Sequence, residues 1–368
     1  MTFVLPWSHA LYGITAFILG ASIGSFLNVA IYRLPRGLSV NTPKRSFCPS
    51  CKKPIPMIRN IPLVTWLVQR GKCAECDCRI PIRYFIVELL TALVWVGCWF
   101  YFDDPSEAIF FMLLSSILIA ISVIDIELMV IPRQLTIAGT ILGLAMAVWR
   151  PQFFGETEWT LSLLKSGFGF AIGWVSLWLV VLLGKLAFGK QKYTFEEPTA
   201  WALREPESDE EELCFVFGDE VIGWSDIFFR KTDKLLINDL KSVRVNGVER
   251  SAELVEIRES EIIVDGEVFP IEKLSSLDGE ARRAVVPREA MGMGDVDLLG
   301  MLGACFGPTS LLLTIFTACL VSIVWALFNR LGFGKVMPFG PSIIAGAVIW
   351  LFWGQDLWQW YLKSMGAW

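Results

Sequence analysis

Eight apolar segments divide this chain and restrict the folds open to it. The hydrocarbon core of a bilayer, about 30 Å thick, needs roughly 20 apolar residues per helix. Hydrophobic residues make up 54% of the 368 positions, above the roughly 45–50% of soluble domains. We therefore predict an all-α polytopic membrane protein with about eight transmembrane helices. The fourth and sixth segments are short, so each could merge with a neighbour or re-enter the membrane. The segments are Ser8–Ile31, Tyr84–Phe102, Ala108–Ile124, Gln134–Val148, Leu161–Phe188, Asp295–Phe306 with its preceding residues, Thr309–Phe328 and Phe339–Tyr361.

The first apolar segment lacks a basic leading region and a small-residue cleavage site, so we predict a retained helix rather than a removed signal peptide. Small residues recur in it at helical spacing, from Gly20 through Gly24 to Ser25. Such residues let helix backbones approach closely. The simplest interpretation of this pattern is helix packing.

The loop from Arg33 to Arg83 indicates which side of the membrane faces the cytoplasm. It holds eleven Lys and Arg residues against only Glu75 and Asp77. An excess of basic residues close to membrane segments marks the cytoplasmic side. Alternate counting of the segments then places Asp125 and Asp295 on that side as well.

Two C-x-x-C pairs lie inside this basic loop, Cys48 with Cys51 and Cys73 with Cys76. Two such pairs about 20 residues apart suit a tetrahedral four-thiolate zinc site. A reducing cytosol argues against structural disulfides. We predict a structural zinc site with these four ligands, with a redox-active or vestigial pair as the alternative. Cys78 is a fifth thiol nearby.

The segment 189–286 differs in composition from the rest of the chain. It opens with a linker rich in Lys, Glu and Pro, followed by the acidic run Asp209–Glu212. Asn246-Gly247 and Asp265-Gly266 are good hairpin turns because both dipeptides tolerate positive φ. We predict an inserted small β-rich soluble domain in the cytoplasm, whose partner the sequence does not identify. The predicted strands are Leu213–Phe217, Lys241–Val245, Leu254–Ile257 and Glu261–Val264.

Two aspartates stand at the edges of apolar segments, Asp125 near the end of one and Asp295 at the start of another. An ionisable group in a membrane segment is by default a functional candidate. Two adjacent carboxylates cannot both ionise easily, so one keeps a proton. The charged member can act as a base toward water while the other donates to a scissile carbonyl. For each aspartate alone, the alternative is a helix cap at the membrane surface.

Other residues near the aspartates support or compete with this hypothesis. Gly292 and Gly294 allow close approach or an irregular backbone before Asp295. Glu127 and Asp297 each follow an aspartate by two residues and so point to the opposite helix face, although Asp297 could compete with Asp295. Glu88, just inside the second segment, fits structural pairing and a functional role equally well.

Other chemistries find little support in the sequence. The only histidine, His9, lies on the predicted outer side, which disfavours a serine nucleophile activated by histidine on the cytoplasmic side. A phosphate-binding loop is absent, and no feature suggests nucleic-acid binding.

Several motifs together resemble those of the type IV prepilin peptidases, also called prepilin leader peptidase/N-methyltransferases. These are membrane aspartic proteases with a Gly-x-Gly-Asp motif, and the resemblance covers most of the chain outside the insert. The motifs are Gly20–Val29 through Arg33-Leu34-Pro35, the two C-x-x-C pairs, Arg83-Tyr84, Glu88–Thr91, Asp125-Ile126 with Ile131-Pro132 and Leu135-Thr136, Glu289–Asp295, and Pro338–Pro341.

The resemblance implies that Asp125 and Asp295 are the catalytic pair. The enzyme would cut leaders of type IV prepilin or pseudopilin precursors after a glycine, at the cytoplasmic face of a bacterial inner membrane. It would then methylate the new N-terminus with S-adenosylmethionine. Its partners would be these precursors, of type IV pili or type II secretion, and the lipid bilayer.

The expected organisation has four parts. Residues 1–102 form an N-terminal membrane segment with the four-cysteine loop, which the resemblance associates with methylation. Residues 103–188 and 287–368 form the membrane peptidase core, and residues 189–286 form the insert. The chain departs from the family at Asp297, where lysine is usual, and in the insert, which ordinary members lack.

Three functional hypotheses remain open from the sequence. The first is a bifunctional peptidase and methyltransferase. The second is a peptidase that no longer methylates, since no glycine fingerprint marks a methyl-donor site. The third is an inactive membrane scaffold whose insert binds pilus or secretion machinery, which the altered charge at Asp297 keeps open.

Overall fold

The computed structural model describes residues 6–43, 46–48, 50–56, 60–204, 213–228, 233–287, 291–330 and 337–365. The acidic run Asp209–Glu212, the Glu289-Ala290 part of the second aspartate motif and basic-loop residues Lys44, Arg45 and Arg59 lie outside this part. The chain divides into two compact units. One consists of Met1–Trp178 and Met293–Trp368, and the other of Leu179–Gly292.

The first unit is helical. Each predicted apolar segment corresponds to a helix, and a short additional helix, α2, lies in the basic loop. The helices are α1 (Pro6–Arg33), α2 (Val64–Val68), α3 (Arg83–Tyr101), α4 (Pro105–Leu128), α5 (Arg133–Trp149), α6 (Trp159–Phe188, whose end enters the second unit), α8 (Met293–Phe306), α9 (Thr309–Phe328) and α10 (Gly340–Ser364). A further helix, α7 (Trp224–Ile227), belongs to the second unit.

Five described helices are long and apolar enough to cross a membrane, namely α1, α3, α4, α6 and α9. Helix α5 is apolar but shorter. Helix α8 has 14 residues and therefore a length of about 21 Å, short of a full bilayer core. The total of eight spans stays a prediction.

Helix α9 shows why this unit needs a lipid environment. Leu312, Phe316 and Ile323 are each more than half exposed, and their spacing places them on one face of the helix. Meanwhile Ser310, Thr314 and Ser322 are buried. A helix that turns apolar side chains outward and small polar ones inward matches a hydrocarbon solvent.

Glycines set the closest helix contacts, as the small-residue spacing predicted. A Cβ added at Gly20 of α1 would lie 2.8 Å from Ala92 Cα on α3. Gly169 of α6 and Gly303 of α8 likewise meet with no room for a side chain. The backbones therefore pack directly against each other at these crossings.

Helix α4 has defined ends that fix the position of its last turn. The Asp104 carboxylate accepts a hydrogen bond from the Ser106 N–H at 2.8 Å and pairs with Arg150 at 2.5 Å. At the other end Met129 has φ 54°, and its N–H donates to Asp125 O at 2.9 Å. The helix thus ends at Leu128, before Pro132, which instead precedes α5.

The second unit is built on an antiparallel sheet, as predicted for the insert. Among the described residues its order is β3-β2-β1-β9-β4-β6-β7-β8, with β5 paired to β4. The buried core includes Trp201, Phe215 and Ile237. The strands are β1 (Lys190–Arg204), β2 (Cys214–Phe217), β3 (Glu220–Gly223), β4 (Leu235–Val245), β5 (Val248–Arg250), β6 (Leu254–Ile257), β7 (Glu261–Val264), β8 (Glu267–Pro270) and β9 (Leu277–Pro287).

The predicted hairpin turns are confirmed, but the predicted linker is wrong. Asn246-Gly247 and Asp265-Gly266 have positive φ and join β4 to β5 and β7 to β8. The Lys, Glu and Pro residues after Gly189 belong to β1, an internal strand paired with β2 and β9. Pro198 lies where the pairing with β9 shifts register between Thr194 and Thr199, a place where a missing N–H is tolerated.

Replacing Gly20 by Ala should destabilise the first unit, because the new methyl group would overlap the α3 backbone. We expect a loss of about 1–3 kcal/mol from overpacking. Gly97→Ala on α3 is the matched control, since nothing lies within 4 Å of a Cβ there. That change should be neutral or stabilising by up to about 1 kcal/mol. Thermal unfolding of both variants in detergent tests this, and equal stabilities would contradict the packing argument.

Candidate functional site

Asp125 lies in the last turn of α4, where its carboxylate is buried against the start of α10. Its side chain is 4% exposed. The Gly340 N–H, at the first residue of α10, donates to Asp125 Oδ2 at 2.9 Å. A helix N-terminus presents free N–H groups and a partial positive charge. The start of α10 therefore orients this carboxylate and stabilises negative charge on it.

Asp295 lies in the first turn of α8, close to Asp125. It is 9% exposed and lies within electrostatic range of Asp125. In the part of the chain that the structure describes, no hydrogen bond donor reaches the Asp295 carboxylate. The structure therefore brings together the two aspartates that the sequence singled out.

Two glycines allow the starts of α8 and α10 to approach Ile131 closely, just after the end of α4. A Cβ at Gly294 would lie 2.7 Å from Ile131 Cβ, and one at Gly340 would lie 2.7 Å from Asp125 Oδ2. Gly294 is helical in α8, so the expected irregular backbone is not seen there. The glycine serves close approach, the other role considered for it.

Glu127 and Asp297, the two acids that could compete with the aspartate pair, have partners outside it. The Glu127 carboxylate pairs with Arg83. The Trp174 indole N–H of α6 donates to Asp297 Oδ1 at 2.9 Å, and Arg133 lies 3.8 Å from Asp297 Oδ2. Asp297 thus connects α8 to α5 and α6.

The geometry of the aspartate pair suits acid–base chemistry on water. Two carboxylates this close and this buried favour a state that holds one proton between them. The ionised member accepts a proton from water and the protonated member donates to an oxygen. The sequence analysis did not predict that the Gly340 amide belongs to this site. Pro341 could have indicated it, because proline favours the first positions of a helix and so marks the start of α10 beside Gly340.

Four cysteines of the basic loop form a cluster that could hold a metal. The Sγ atoms of Cys48, Cys73, Cys76 and Cys78 all lie within 4.8 Å of one another. Three of these were predicted ligands, whereas Cys78 takes the place expected for Cys51. The Cys51 thiol interacts with Cys48 and Cys76. The loop therefore gathers five thiols.

The electrostatics of the cluster favour one thiolate in the free protein. Burial opposes ionisation of the Cys48 thiol, but hydrogen bonds from the Cys51 backbone and the Cys78 side chain outweigh it. Together they lower the pKa of Cys48 to about 6. A thiolate at neutral pH is the form that binds metal.

Glu88 is buried on α3, and a loop residue satisfies part of its carboxylate. The Leu63 N–H donates to Glu88 Oε2 at 2.7 Å, and Leu63 has φ 62°. Asn28 of α1 lies in the same region and donates to Tyr84 O at 3.0 Å. From the sequence, a structural and a functional role for Glu88 were equally supported. Leu63 is 25 residues away in the chain, so no local pattern could predict its contact with Glu88.

Two family models match the chain. Residues 18–102 match the Bacterial Peptidase A24 N-terminal domain. Residues 112–229 and 274–327 match the Type IV leader peptidase family. The prediction that family members lack the whole insert 189–286 is therefore wrong, because only residues 230–273 of it are unmatched. No solved structure matches the chain.

Curated relatives carry the name prepilin leader peptidase/N-methyltransferase. The Myxococcus xanthus protein is 38% identical over 37% of this chain and 41% of its own length. The Aeromonas hydrophila protein is 26% identical over 98% of this chain and 96% of its own length. The Neisseria gonorrhoeae protein is 32% identical over 48% of this chain and 66% of its own length. The second family model covers both Asp125 and Asp295, and the chain belongs to the type IV leader peptidase family.

Proposed function

We propose that this protein is a membrane aspartic endopeptidase that removes the leaders of type IV prepilin or pseudopilin precursors. The observation that carries this proposal is the buried meeting of Asp125 and Asp295 at three helix ends. Curated relatives named for prepilin leader cleavage support the substrate class. Membership of this family favours an enzyme over a scaffold.

In this proposal the two aspartates have different roles. Asp125, held by the Gly340 amide, carries the negative charge and takes a proton from the attacking water. Asp295 holds the shared proton and donates it toward the carbonyl oxygen of the scissile bond. The water oxygen bonds to the carbonyl carbon, giving a tetrahedral intermediate. Its bond to nitrogen then breaks, the nitrogen leaves as a free amine with the proton that Asp125 took from water, and the proton lent by Asp295 returns to the carboxyl pair.

The same protein is proposed to methylate the amine that cleavage frees. The match of residues 18–102 to the A24 N-terminal domain and the names of the relatives support this second activity. S-adenosylmethionine would supply the methyl group. These supports favour the bifunctional enzyme over a peptidase that no longer methylates.

Zinc fits the cysteine cluster. Four thiolates bound at about 2.3 Å in a tetrahedron have sulfur atoms about 3.8 Å apart, and Cys48 Sγ lies 3.8 Å from Cys76 Sγ. With four protein ligands the ion would have no open position, so its role would be to hold the loop together. Cys48, Cys73 and Cys76 are ligands in either possible set, and Cys51 or Cys78 completes it.

The proposed location is the bacterial inner membrane, with the aspartate pair and the insert on the cytoplasmic side. The basic excess in the Arg33–Arg83 loop supports this orientation. Precursor leaders are made in the cytoplasm, so that side is where the proposed substrates would meet the enzyme.

Asp125→Asn and Asp295→Asn should each abolish leader cleavage while the protein stays folded. An amide can neither accept the proton of water nor cycle as an acid, and general acid–base groups contribute roughly 100- to 10,000-fold. Asp297→Asn is the matched control. It keeps the oxygen that accepts from Trp174, so substantial cleavage should remain. Mass spectrometry of a co-expressed prepilin at matched expression measures all three.

The same samples separate the two activities. Methylation of a pre-cleaved substrate should survive in the Asp125 and Asp295 variants, because those residues serve only proteolysis. Normal cleavage by Asp295→Asn together with loss in Asp297→Asn would move the second catalytic carboxylate to Asp297.

Purified protein should contain about one zinc ion per chain, and Cys48→Ser should lose most of it. The reason is that Cys48 belongs to either possible ligand set. Elemental analysis of the variant and the wild type measures the effect. Unchanged zinc in Cys48→Ser would rule out both ligand sets.

A pair of further variants identifies the fourth ligand. Loss of zinc in Cys78→Ser with retention in Cys51→Ser would identify Cys78 as the fourth ligand, beside Cys48, Cys73 and Cys76. The opposite result would support the paired C-x-x-C spacing.

The Arg33–Arg83 loop and the insert should lie on the same, cytoplasmic side. Single cysteines placed at Val248 and Glu253, in a variant whose native accessible cysteines are removed, should not react with an impermeant maleimide in intact cells. They should react after the membrane is opened. Labelling in intact cells would overturn this orientation.

A further inference from the structure

A cavity of about 380 Å³ lies between α1, α3 and the cysteine-containing loop, and the peptidase chemistry does not use it. We call it the α1–α3 cavity. Its volume is within the roughly 300–1,000 Å³ of small-molecule sites. The lining residues that matter here are Asn28, Tyr32, Trp66, Tyr84, Glu88 and Glu127.

The cavity wall contains a buried carboxylate that has no ion-pair partner among the described residues. Glu88 is 8% exposed. Two cations of the cavity wall pair with other acids, Arg83 with Glu127 and Lys53 with Glu75 at 3.2 Å. A buried carboxylate without a counter-charge is unfavourable. A cationic ligand would supply that charge.

Asn28 provides a second, independent sign of a ligand. Its side chain is 3% exposed and its Nδ2 donates to Tyr84 O. Its Oδ1 atom is buried and has no hydrogen bond partner in the described part of the chain. Buried polar atoms are almost always paired, so a ligand N–H is the natural donor to this oxygen.

The remaining walls suit a flat aromatic group beside a cation. Tyr32, Trp66 and Tyr84 line the cavity, and aromatic rings pack well on planar ring systems. The faces of such rings attract cations, and Arg36 and Arg83 already lie over one face of Tyr32 and of Tyr84. Cys48, Cys73 and Cys78 form part of the wall as well, so the cysteine cluster holds one side of the cavity in place.

We propose that the α1–α3 cavity binds S-adenosylmethionine, with Glu88 recognising its cationic part and Asn28 Oδ1 accepting one of its N–H groups. This inference rests on the methyl transfer in the proposed function. The compound combines an adenine ring, N–H donors, a sulfonium and an ammonium, which match the aromatic walls, the orphan oxygen and the buried carboxylate. The cavity suits one small molecule rather than a polypeptide substrate.

The position of the cavity suits transfer to an amine freed at the aspartate pair. Glu127 lines the cavity and lies two residues after Asp125 on α4. In the transfer, the lone pair of the neutral amine forms a bond to the methyl carbon. The carbon–sulfur bond breaks with its electron pair left on sulfur, and the extra proton on nitrogen leaves to water.

The test is Glu88→Gln, which keeps the shape and the acceptor for Leu63 N–H but removes the charge. Isothermal titration of the detergent-purified protein with S-adenosylmethionine should show binding roughly tenfold or more weaker, as for loss of a charged hydrogen bond. Binding of 5′-methylthioadenosine, which carries no charge, should not change. Glu107→Gln, in the first turn of α4, is the matched control and should bind both compounds as the wild type does.

Leader cleavage by the same samples separates this inference from the proposed function. Cleavage by Glu88→Gln at the wild-type rate shows that it is folded. If the wild type methylates and Glu88→Gln binds S-adenosylmethionine equally well, the cavity assignment is wrong and the proposed function stands. If the wild type cleaves but neither methylates nor binds the compound, both the methyl transfer and the cavity assignment are wrong.

Photo-crosslinking of radiolabelled S-adenosylmethionine to the wild type provides a test that needs no variant. The label should be found in peptides that contain Trp66 or Tyr84. Label confined to peptides outside the cavity walls would overturn the assignment.

Discussion

The hydrogen bond from the Gly340 amide to Asp125 is the interaction on which the candidate active site depends. A carboxylate in an apolar helix bundle is tolerated only where a partner meets it. Here the partner is a helix N-terminus, 2.9 Å away. A side chain at position 340 would displace the carboxylate. The end of α4 and the start of α10 are therefore fixed together, and α8 must fit against both.

Close backbone contacts make that arrangement rigid. Gly294 allows the start of α8 to contact Ile131, next to the end of α4. Farther along α8, Gly303 meets Gly169 of α6, and the Ser166 hydroxyl donates to Ala304 O at 2.6 Å. In lipid, such contacts replace the hydrophobic effect as the main source of helix association. The two aspartates are thus held by backbone packing rather than by long side chains.

The features predicted correctly from the sequence are those that short stretches of chain determine. Apolar length located the eight helices longer than ten residues in the described part of the first unit, and Asn-Gly and Asp-Gly located two hairpin turns. The strand β1 was missed because its Lys, Glu and Pro residues resemble a linker. Its pairing with β2 and with β9, some 80 residues later, exists only in the folded unit. The sequence noted Cys78 as a fifth thiol near the cysteine pairs, but its place in the cluster could not be predicted, and neither could the Leu63 contact of Glu88, for the same reason. Both depend on chain segments that meet only in the folded loop.

Helix α4 relates the peptidase site to the α1–α3 cavity. At about 100° per residue, side chains two positions apart point to nearly opposite faces. Asp125 accordingly faces α10 and α8, while Glu127 faces Arg83 and the cavity. Cleavage has to come first, because the amine to be methylated is part of a peptide bond until then. In the proposed arrangement, a donor site behind the same helical turn is kept apart from the two carboxylates, yet lies on the same helix as the residue proposed to activate water.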